Sequence, residues 1–368
     1  MSFIEELSIS GYERVVRISD PAVDLLAIIA IHDKTLGPSL GGIRIFPYNS
    51  FPDALQDVLR LAEGMTRKSA MADTGLGGAK GVVIGNSAKG MIKKETLLRF
   101  GEAINLLQGA YIGAEDMGCT TKELAILSQK TKYLTGLDHE QSSGNPAPFT
   151  AFGTFRGLEA ICMYLYKTPS LQGIKIAVQG LGNVGLHLVY RLYWAGADII
   201  ISDIDEIKAQ KLAKQLGAKY VPAEEVLFQE CDILSPCAVG GILNENTIPH
   251  LRCKAIGGCA NNQLLLEVDA ARLAKRNILY APDFIINAGG LINVASEILP
   301  EKYNPTLARK NVNQIYERLL GIFFISEKNG VTPNQTASAL AAYRIKYKIG
   351  LRKEAPCFHH AELQNCLV

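Results

Sequence analysis

Short apolar runs alternate with longer segments of helical periodicity along the first part of the chain. The apolar runs predict strands at residues 27–31, 43–46, 81–84 and 111–113. Apolar side chains spaced by three and four residues predict helices at residues 52–71 and 94–107. This alternation of strands and helices predicts an α/β domain.

A second series of strands and helices starts at Ile174. Strands are predicted at or near residues 174–179, 198–202, 232–234, 255–256 and 278–280, and helices at 184–194 and 206–216. Strands that alternate with helices of this length are typical of a doubly wound parallel sheet, the Rossmann architecture.

Turn-forming residues separate the two series. Residues 142–148 read Ser-Ser-Gly-Asn-Pro-Ala-Pro, and a helix is predicted to open at Thr150 and to run to Tyr166. We therefore expect one domain at residues 1–145 and a second at 146–330. Helices in residues 331–368 are expected to pack back on the first domain.

Composition and charge exclude several classes of protein. The 368 residues are 48% hydrophobic and 20% charged, which is typical of a globular protein. A net charge of +2, from 38 basic and 36 acidic residues without a basic stripe, does not indicate a nucleic-acid partner. No apolar run reaches the ~20 residues of a membrane span, and Glu5 and Glu6 stand where a signal peptide would be basic. We expect a cytoplasmic protein.

The eight cysteines are dispersed along the chain. In a chain of this size without a secretion signal, reduced thiols are expected. Cys357, His359 and His360 lack the paired spacing of a zinc site, and we expect them in a solvated tail. No metal site is predicted.

A G-x-G-x-x-G motif lies directly between a predicted strand and a predicted helix. Gly180 permits a tight turn, Gly182 lets the backbone approach a pyrophosphate, and Gly185 lets helix and strand pack closely. In this context the motif predicts a dinucleotide site. It comprises Gly180, Leu181, Gly182, Asn183, Val184 and Gly185.

Asp203 ends the next predicted strand, about twenty residues after the motif. Its carboxylate can accept hydrogen bonds from the ribose hydroxyls, whereas it would repel a ribose 2′-phosphate. Asp205 adds to this repulsion. NAD is therefore expected in preference to NADP.

Two lysines and an aspartate in the first domain carry candidate chemistry. Lys68 ends the segment Gly64-Met65-Thr66-Arg67-Lys68, Lys80 stands among glycines, and Asp116 follows a predicted strand. Taken alone, each lysine is expected to be a solvated surface charge, and Asp116 the N-cap of the next segment. A phosphate-binding P-loop is excluded because Gly-Lys-Ser/Thr is missing.

Together these motifs resemble the glutamate, leucine, phenylalanine and valine dehydrogenase family, and within it the leucine dehydrogenase branch. The resemblance implies an N-terminal substrate domain, a C-terminal Rossmann domain, a cleft that closes during turnover, and a homo-oligomer, either an octamer or a dimer. It also implies NAD-dependent oxidative deamination of an L-amino acid. The matching stretches, in the family's order, are 41–44, 64–68, 77–80, 114–116, 146–151, 179–185, 236–238, 260–264, 282–283 and 287–290.

The resemblance implies a role for each candidate. Lys68 and the backbone of Gly42 would hold the substrate α-carboxylate, with Asn261 assisting. Lys80 would be the catalytic base, and Asp116 would carry a proton to and from the amine. A desolvated Lys80 close to the cationic Lys68 should have a lowered pKa. Besides the glycine motif and Asp203, the residues implied to line the coenzyme are Thr150, Asn183, Ala238 and Asn262.

Leu40 is the informative position for the substrate side chain. In the glutamate branch a lysine typically stands there and pairs with the substrate carboxylate, so leucine disfavours glutamate. By resemblance the remaining pocket residues favour valine, leucine or isoleucine, while phenylalanine or tryptophan stays an alternative. A catalytically silent NAD-binding regulator is a third hypothesis, which Lys68, Lys80 and Asp116 together disfavour. The other implied pocket residues are Met65, Ala114, Leu291 and Val294.

Overall fold

The computed structural model describes residues 3–85 and 92–359, so His360 lies outside the described residues. The chain divides into two compact units, each of which contains a six-stranded sheet. The first unit comprises Met1–Asn145, Asn293–Pro305 and Ala341–Val368, and the second comprises Pro146–Ile292 and Thr306–Leu340.

The sheet of the first unit is mixed, in the order β1-β2-β3-β5-β4-β6. β4 runs parallel to both β5 and β6, whereas β3 is antiparallel to β5. The parallel strands therefore have their carboxyl ends at one edge of the sheet. The elements are β1 (Ile4–Leu7), β2 (Arg14–Asp20), β3 (Leu25–Asp33), β4 (Ser39–Phe46), α1 (Phe51–Ala72), β5 (Gly77–Ile84), α2 (Lys94–Leu106), β6 (Tyr111–Glu115) and α3 (Thr121–Leu127).

Helices cover both faces of this sheet, which explains the continuous apolar run in β3. Ile29 and Ile31 are buried in a core with Phe100 of α2. Alternate residues such as Ile28 point to the opposite face, where they pack with Val58 of α1. Because successive residues of a strand point to opposite faces, a strand buried on both faces is apolar throughout.

The sheet of the second unit is parallel, in the order β12-β11-β10-β7-β8-β9. The order reverses at β7, as in a doubly wound sheet, and the predicted fold class is confirmed. The elements are α4 (Ala147–Tyr166), β7 (Lys175–Gln179), α5 (Asn183–Trp194), β8 (Asp198–Ser202), α6 (Glu206–Leu216), β9 (Lys219–Tyr220), β10 (Ile233–Pro236), β11 (Ala255–Ile256), α7 (Asp269–Lys275), β12 (Leu279–Tyr280), α8 (Asp283–Ile286), α9 (Gly289–Glu297), α10 (Pro305–Asn313), α11 (Ile315–Asn329) and α12 (Pro333–Lys346).

Several boundaries differ from the sequence-based expectation. Helix α4 begins at Ala147 rather than Thr150, because Pro146 already occupies the N-cap position. The segment Asn293–Pro305 belongs to the first unit, although it was expected in the nucleotide-binding domain. The return to the first unit occurs at Ala341, within α12, rather than after residue 330.

The expectation of a solvated tail is wrong for the described part of the C-terminal segment. Cys357 N–H donates to Ile298 O over 3.1 Å. The His359 side chain is buried, with Nε2 3.0 Å from Leu299 O. Residues 357–359 therefore pack against Ile298 and Leu299, in the middle of the 293–305 segment. Within the described residues, no helix is both long and apolar enough to cross a membrane.

Candidate active site

Lys80 lies in the interior of the first unit rather than on its surface. It belongs to β5, between β3 and β4, and only 5% of its surface is exposed. Its neighbour Val82, two residues on, packs in the core beneath α1. By strand alternation the Lys80 side chain points to the same face. The surface-charge interpretation of this lysine is therefore wrong.

Asp116 meets Lys80 at the carboxyl end of β6, level with the middle of β4 and β5. It follows β6, and its Oδ2 lies 2.8 Å from Lys80 Nζ. The backbone of Asp116 pairs with Cys119 in a tight reversal. The N-cap of α3 is Thr120, which forms a capping box with Glu123. Asp116 is thus an ion-pair partner and not the predicted alternative, an N-cap.

Arg44 is a third member of this cluster. Its Nε lies 3.0 Å from Asp116 Oδ2, and its Nη1 lies 2.9 Å from Asp57 Oδ2. Tyr48 O–H donates to the same Asp57 oxygen. Arg44 lies in the matching stretch 41–44, for which the sequence predicted no role of the arginine. The signal was strand alternation, which places residues 40, 42 and 44 of β4 on one face.

Burial is the largest influence on both members of the Lys80–Asp116 pair. Loss of solvent lowers the pKa of Lys80 below its usual range, and the nearby Arg44 cation lowers it further, while Asp116 opposes both. Burial would raise the pKa of Asp116, but Lys80 and Arg44 together outweigh it and hold that pKa well below its usual range. The site therefore combines an ammonium group that loses its proton more readily than a free lysine with a firmly ionised carboxylate.

The strand register brings several of the predicted substrate residues to this cluster. Gly42 of β4 pairs with Ala114 of β6, and Leu40 pairs with Ile112. Leu40 and Ala114 are buried apolar side chains. Their positions are even-numbered on both strands, as is that of Asp116. Leu40, Gly42 and Ala114 therefore lie on the face of the sheet that carries the ion pair.

Helix α1 crosses this face and carries Met65 and Lys68. A Cβ added to Gly78 of β5 would lie 2.1 Å from Thr66 N, so the helix backbone rests directly on the strand. Met65 and Lys68 flank Thr66 and are both half-buried. The structure thus brings the helix segment that contains Lys68 to the strand that contains Lys80.

Val294 of α9 also belongs to the first unit. Thr135 O–H donates to Val294 O over 3.1 Å, and Thr135 N–H donates to Gly113 O over 3.0 Å. These bonds join Val294 to the strand that carries Ala114. Leu291 and Asn261, by contrast, belong to the second unit.

A buried carboxylate that the sequence analysis missed supports the Val294 segment. Glu297 Oε2 accepts hydrogen bonds from Gly136 N–H over 2.9 Å, Ser143 N–H over 2.9 Å and Ser143 O–H over 2.6 Å. Asn293 donates to Ser143 O over 3.1 Å. A glutamate directly after an apolar run at helical spacing was the available signal. Its partners, more than 150 residues away, could not be predicted.

The glycine motif of the second unit has the geometry of a dinucleotide turn. Gly180 adopts φ +97°, and Gly182 is the N-cap of α5. A Cβ on Gly185 would lie 2.1 Å from Gly180 O, whereas a Cβ on Gly182 would meet nothing within 4 Å. The turn is therefore closely packed at Gly185 and open at Gly182, where the N-terminus of α5 favours a phosphate group. These residues fit a dinucleotide.

Asp203 lies beside this turn, directly after β8. Leu181 N–H donates to Asp203 Oδ2 over 2.5 Å, and Asp205 N–H donates to Asp203 Oδ1 over 2.9 Å. Lys208 Nζ donates to Leu181 O over 2.6 Å. Asp203 thus binds the backbone N–H of Leu181, and Lys208 binds its backbone carbonyl. Asp205 caps α6, since its Oδ1 accepts from Lys208 N–H.

The other predicted coenzyme residues lie on two parts of the second unit. Ala238 packs on the turn, since a Cβ on Gly180 would lie 2.8 Å from Ala238 Cβ. Gly241 N–H donates to Asn262 O over 2.7 Å, which joins the Ala238 loop to the Asn261–Asn262 segment. Thr150 of α4 instead lies against Gly290, whose Cβ would be 2.5 Å from Thr150 Oγ1.

Asn287 is a second residue that the sequence analysis left without a role. Its Nδ2 donates to Asn261 Oδ1 over 2.9 Å, and it also lies 3.3 Å from Ala260 O. Asn287 is buried, whereas Asn261 is exposed. Asn287 therefore orients the side chain that the resemblance implies for the substrate.

Both halves of the chain match models of one family. Residues 13–133 match "Glu/Leu/Phe/Val dehydrogenase, dimerisation domain", and residues 201–347 match "Glutamate/Leucine/Phenylalanine/Valine dehydrogenase". The chain belongs to this dehydrogenase family. The resemblance inferred from the motifs is thereby confirmed, and the catalytically silent alternative loses support.

Relatives within the dehydrogenase family align along almost the whole chain. Leucine dehydrogenase of Geobacillus stearothermophilus is 43% identical over 348 residues, 94% of each chain. L-tryptophan dehydrogenase of Nostoc punctiforme is 43% identical over 347 residues, 94% of this chain and 96% of that one. The crystal structure of a Nostoc punctiforme L-tryptophan dehydrogenase matches with a TM-score of 0.77 and 42% identity, covering 92% of this chain and 97% of that one.

Proposed function

We propose that this dehydrogenase catalyses the NAD-dependent oxidative deamination of a branched-chain aliphatic L-amino acid. The products are the 2-oxo acid, ammonia and NADH. The observation that carries the proposal is the buried Lys80 ammonium paired with Asp116 at 2.8 Å, because an amine acid-base group with a lowered pKa suits hydrolysis of an imine.

Each residue of the cluster has a part in this reaction. Lys68 and the Gly42 N–H bind the α-carboxylate, and Asn261 assists. Lys80, once neutral, takes a proton from the water that adds to the imine carbon. Asp116, ionised at rest, accepts a proton from the substrate ammonium and returns it to the departing nitrogen, and its charge keeps Lys80 oriented. NAD, when bound, would accept the hydride that leaves the substrate Cα.

The second unit supplies the residues for the coenzyme. The glycine turn offers its open face to the pyrophosphate, and Asp203 accepts from the ribose. Asn183, Ala238, Asn262 and Thr150 complete the proposed set. Family members use NAD or NADP. Preference for NAD rests on the Asp203 carboxylate, which would repel a 2′-phosphate.

The pocket favours an aliphatic side chain. Leu40, Ala114 and Val294 are buried and apolar, so they offer no partner to a substrate carboxylate. Met65 and Leu291 are the other proposed wall residues. Differences of a methylene in such a pocket are worth about 1 to 3 kcal/mol, so the preferred branched-chain substrate is decided by measurement.

An aromatic L-amino acid is the second candidate. The observation in its favour is the 43% identity to a relative named L-tryptophan dehydrogenase, equal to the identity to leucine dehydrogenase. Overall similarity therefore does not separate the two substrates. The aliphatic proposal rests on the buried pocket side chains.

A substrate panel tests the proposal. NADH formation is followed at mildly alkaline pH with L-leucine, L-valine, L-isoleucine, L-phenylalanine, L-tryptophan and L-glutamate. Turnover confined to the branched-chain set is expected, while an aromatic preference would overturn the pocket assignment. Lys80→Ala should abolish turnover and keep NAD binding, whereas Lys122→Ala, on the exposed side of α3, should behave like the wild type. Substantial turnover by Lys80→Ala would refute its role.

We also propose that the chain forms a homo-oligomer through its first unit. The match of residues 13–133 to a dimerisation domain supports this assignment. An octamer and a dimer are the two expected states, and sedimentation of the purified protein distinguishes them.

A further inference from the structure

Arg44 and Lys80 share a single oxygen of Asp116. Lys80 Nζ lies 2.8 Å from Asp116 Oδ2, and Arg44 Nε lies 3.0 Å from that same atom. The two cations reach the carboxylate from neighbouring strands, β5 and β4. Because one oxygen accepts from both cations, Asp116 stabilises the protonated form of Lys80 less than it would if it bound Lys80 alone.

Arg44 is fixed in this position by its other partners. Its Nη1 lies 2.9 Å from Asp57 Oδ2 of α1, and Tyr48 O–H donates to that oxygen as well. The Arg44 side chain is only 15% exposed. Burial favours its neutral form, but Asp116 and Asp57 raise its pKa above the usual range, so it stays a cation. Arg44 is therefore a cation that two carboxylates hold beside the Lys80 pair.

The groups that face Lys80 act in opposite directions. Arg44 of β4 lowers the pKa of Lys80, while Asp116 after β6 and Asp57 of α1 raise it. The thiol of Cys119, buried in the core on the other face of the sheet, is near enough for the charges of Asp116 and Lys80 to act on it, but burial raises its pKa, so it stays neutral. Lys68 of α1 adds a further cation on that helix.

Tyr111 lies beneath the strands that carry these groups. Its O–H donates to Gly41 O over 3.0 Å, and burial raises its pKa well above the usual range. It therefore adds no charge to the site. Among these described neighbours, Arg44 is the cation in direct contact with the carboxylate that holds Lys80.

We propose that Arg44 is a positioning residue that sets the pH at which Lys80 becomes a base, by sharing the Asp116 carboxylate with it. The inference rests on the proposed role of Lys80 in deamination. With Arg44 in place, Lys80 releases its proton at lower pH and Asp116 stays ionised. Without it, the carboxylate would serve Lys80 alone and would hold the proton on the amine.

The dependence of kcat/KM on pH tests this inference through two variants of opposite sign. The acid limb of this profile is the range in which kcat/KM falls as Lys80 becomes protonated. In Arg44→Gln the acid limb should move to higher pH by about 1 unit or more, the usual effect of one adjacent charge. Arg44→Lys should restore most of the wild-type position. Asp57→Asn should move the limb downward, because it removes an anion that favours the charged lysine and frees Arg44 for Asp116.

A matched control is Arg99→Gln. Arg99 also contacts two carboxylates of the first unit, those of Asp20 and Glu102, so a shift there would mean that any lost arginine has the effect. An acid limb that stays in place in Arg44→Gln would overturn the proposal. If Arg44→Gln does not fold, the double variant Arg44→Lys with Asp57→Asn is compared with Asp57→Asn, and an acid limb that is the same in both, or that stays or rises in Asp57→Asn, contradicts the proposal.

A measurement without turnover separates this inference from the proposed function. Acetylation of Lys80 by acetic anhydride, a small amine reagent, is quantified by mass spectrometry across pH in the ligand-free protein. Half-maximal labelling should move upward in Arg44→Gln and downward in Asp57→Asn. These shifts in a protein that turns over no amino acid would uphold the role of Arg44 and reject the proposed function. Unchanged labelling in an active enzyme would do the reverse.

Discussion

Gly42 lies directly beside the Lys80 ammonium. A Cβ added to Gly42 would be 3.2 Å from Lys80 Nζ and 2.7 Å from the Cβ of Asp116. Three parallel strands place these residues side by side, and only glycine on the middle strand leaves the lysine room to reach the carboxylate. The Lys80–Asp116 ion pair therefore requires a residue without a side chain at position 42.

Gly42→Ala should separate Lys80 from Asp116 and crowd the proposed carboxylate site. A displacement on the order of 1 Å at such a site costs about 100-fold in rate, so we expect kcat/KM for the preferred amino acid to fall by roughly that factor. Binding of NAD, measured by titration, should change little. Gly321→Ala is the control, since its Cβ meets no atom within 4 Å. Near-normal turnover by Gly42→Ala would contradict this geometry.

The pH dependence of the wild type follows from the buried lysine. In its proposed role as a base, Lys80 acts only when neutral, and burial lowers its pKa from the ordinary 10.5. Activity should therefore rise with pH along an acid limb that lies below 10.5 and disappear as the amine becomes protonated. Asp116 stays ionised across this range and adds no limb. The measurement is kcat/KM against pH at saturating NAD, and a limb at or above the ordinary value would contradict the assignment.

Asp203→Ser tests the proposed preference for NAD. The variant loses a ribose acceptor and also the acceptor for Leu181 N–H at 2.5 Å, so NAD should bind at least about 10-fold more weakly, the loss of ~1.4 kcal/mol. NADP should be relieved of repulsion, which raises the ratio of NADP to NAD affinity. Asp198→Ser, at the opposite end of the same strand, is the matched control. An unchanged ratio in Asp203→Ser would refute this role.

Local patterns predicted the second unit best. The predicted strand 198–202 and helix 206–216 coincide with β8 and α6, because each is a complete local unit with its own periodicity and caps. Strands β1, β2 and β9 were not predicted. They are short or carry several charged residues, and pairing decides their conformation: β1 pairs with β2, β2 with β3, and β9 with β8.

Long-range contacts explain what the sequence did not reveal about the site. Lys80, Asp116 and Gly42 were identified through motifs, whereas Arg44 meets Asp116 across 72 residues of chain. Strand alternation in β4 predicts the face on which Arg44 lies, but it does not predict that two carboxylates from other elements meet it there. The same holds for Glu297 and for His359, whose burial depends on segments far away in sequence.

Glu297→Gln tests whether the buried carboxylate supports the substrate pocket. One oxygen of Glu297 accepts from Gly136 N–H and from both donors of Ser143, and hydrogen bonds to a charged group contribute about 1.5–3 kcal/mol each. Loss of the charge should lower the free energy of unfolding by about 1 to 3 kcal/mol.

Because Val294 lies one turn earlier than Glu297 on the same helix, Glu297→Gln should also lower kcat/KM for branched-chain substrates, while the affinity for NAD is kept. Glu301→Gln, at an exposed glutamate four residues on, controls for loss of negative charge. Reduced stability with an unchanged substrate profile would leave Glu297 a structural residue and disconnect it from the pocket.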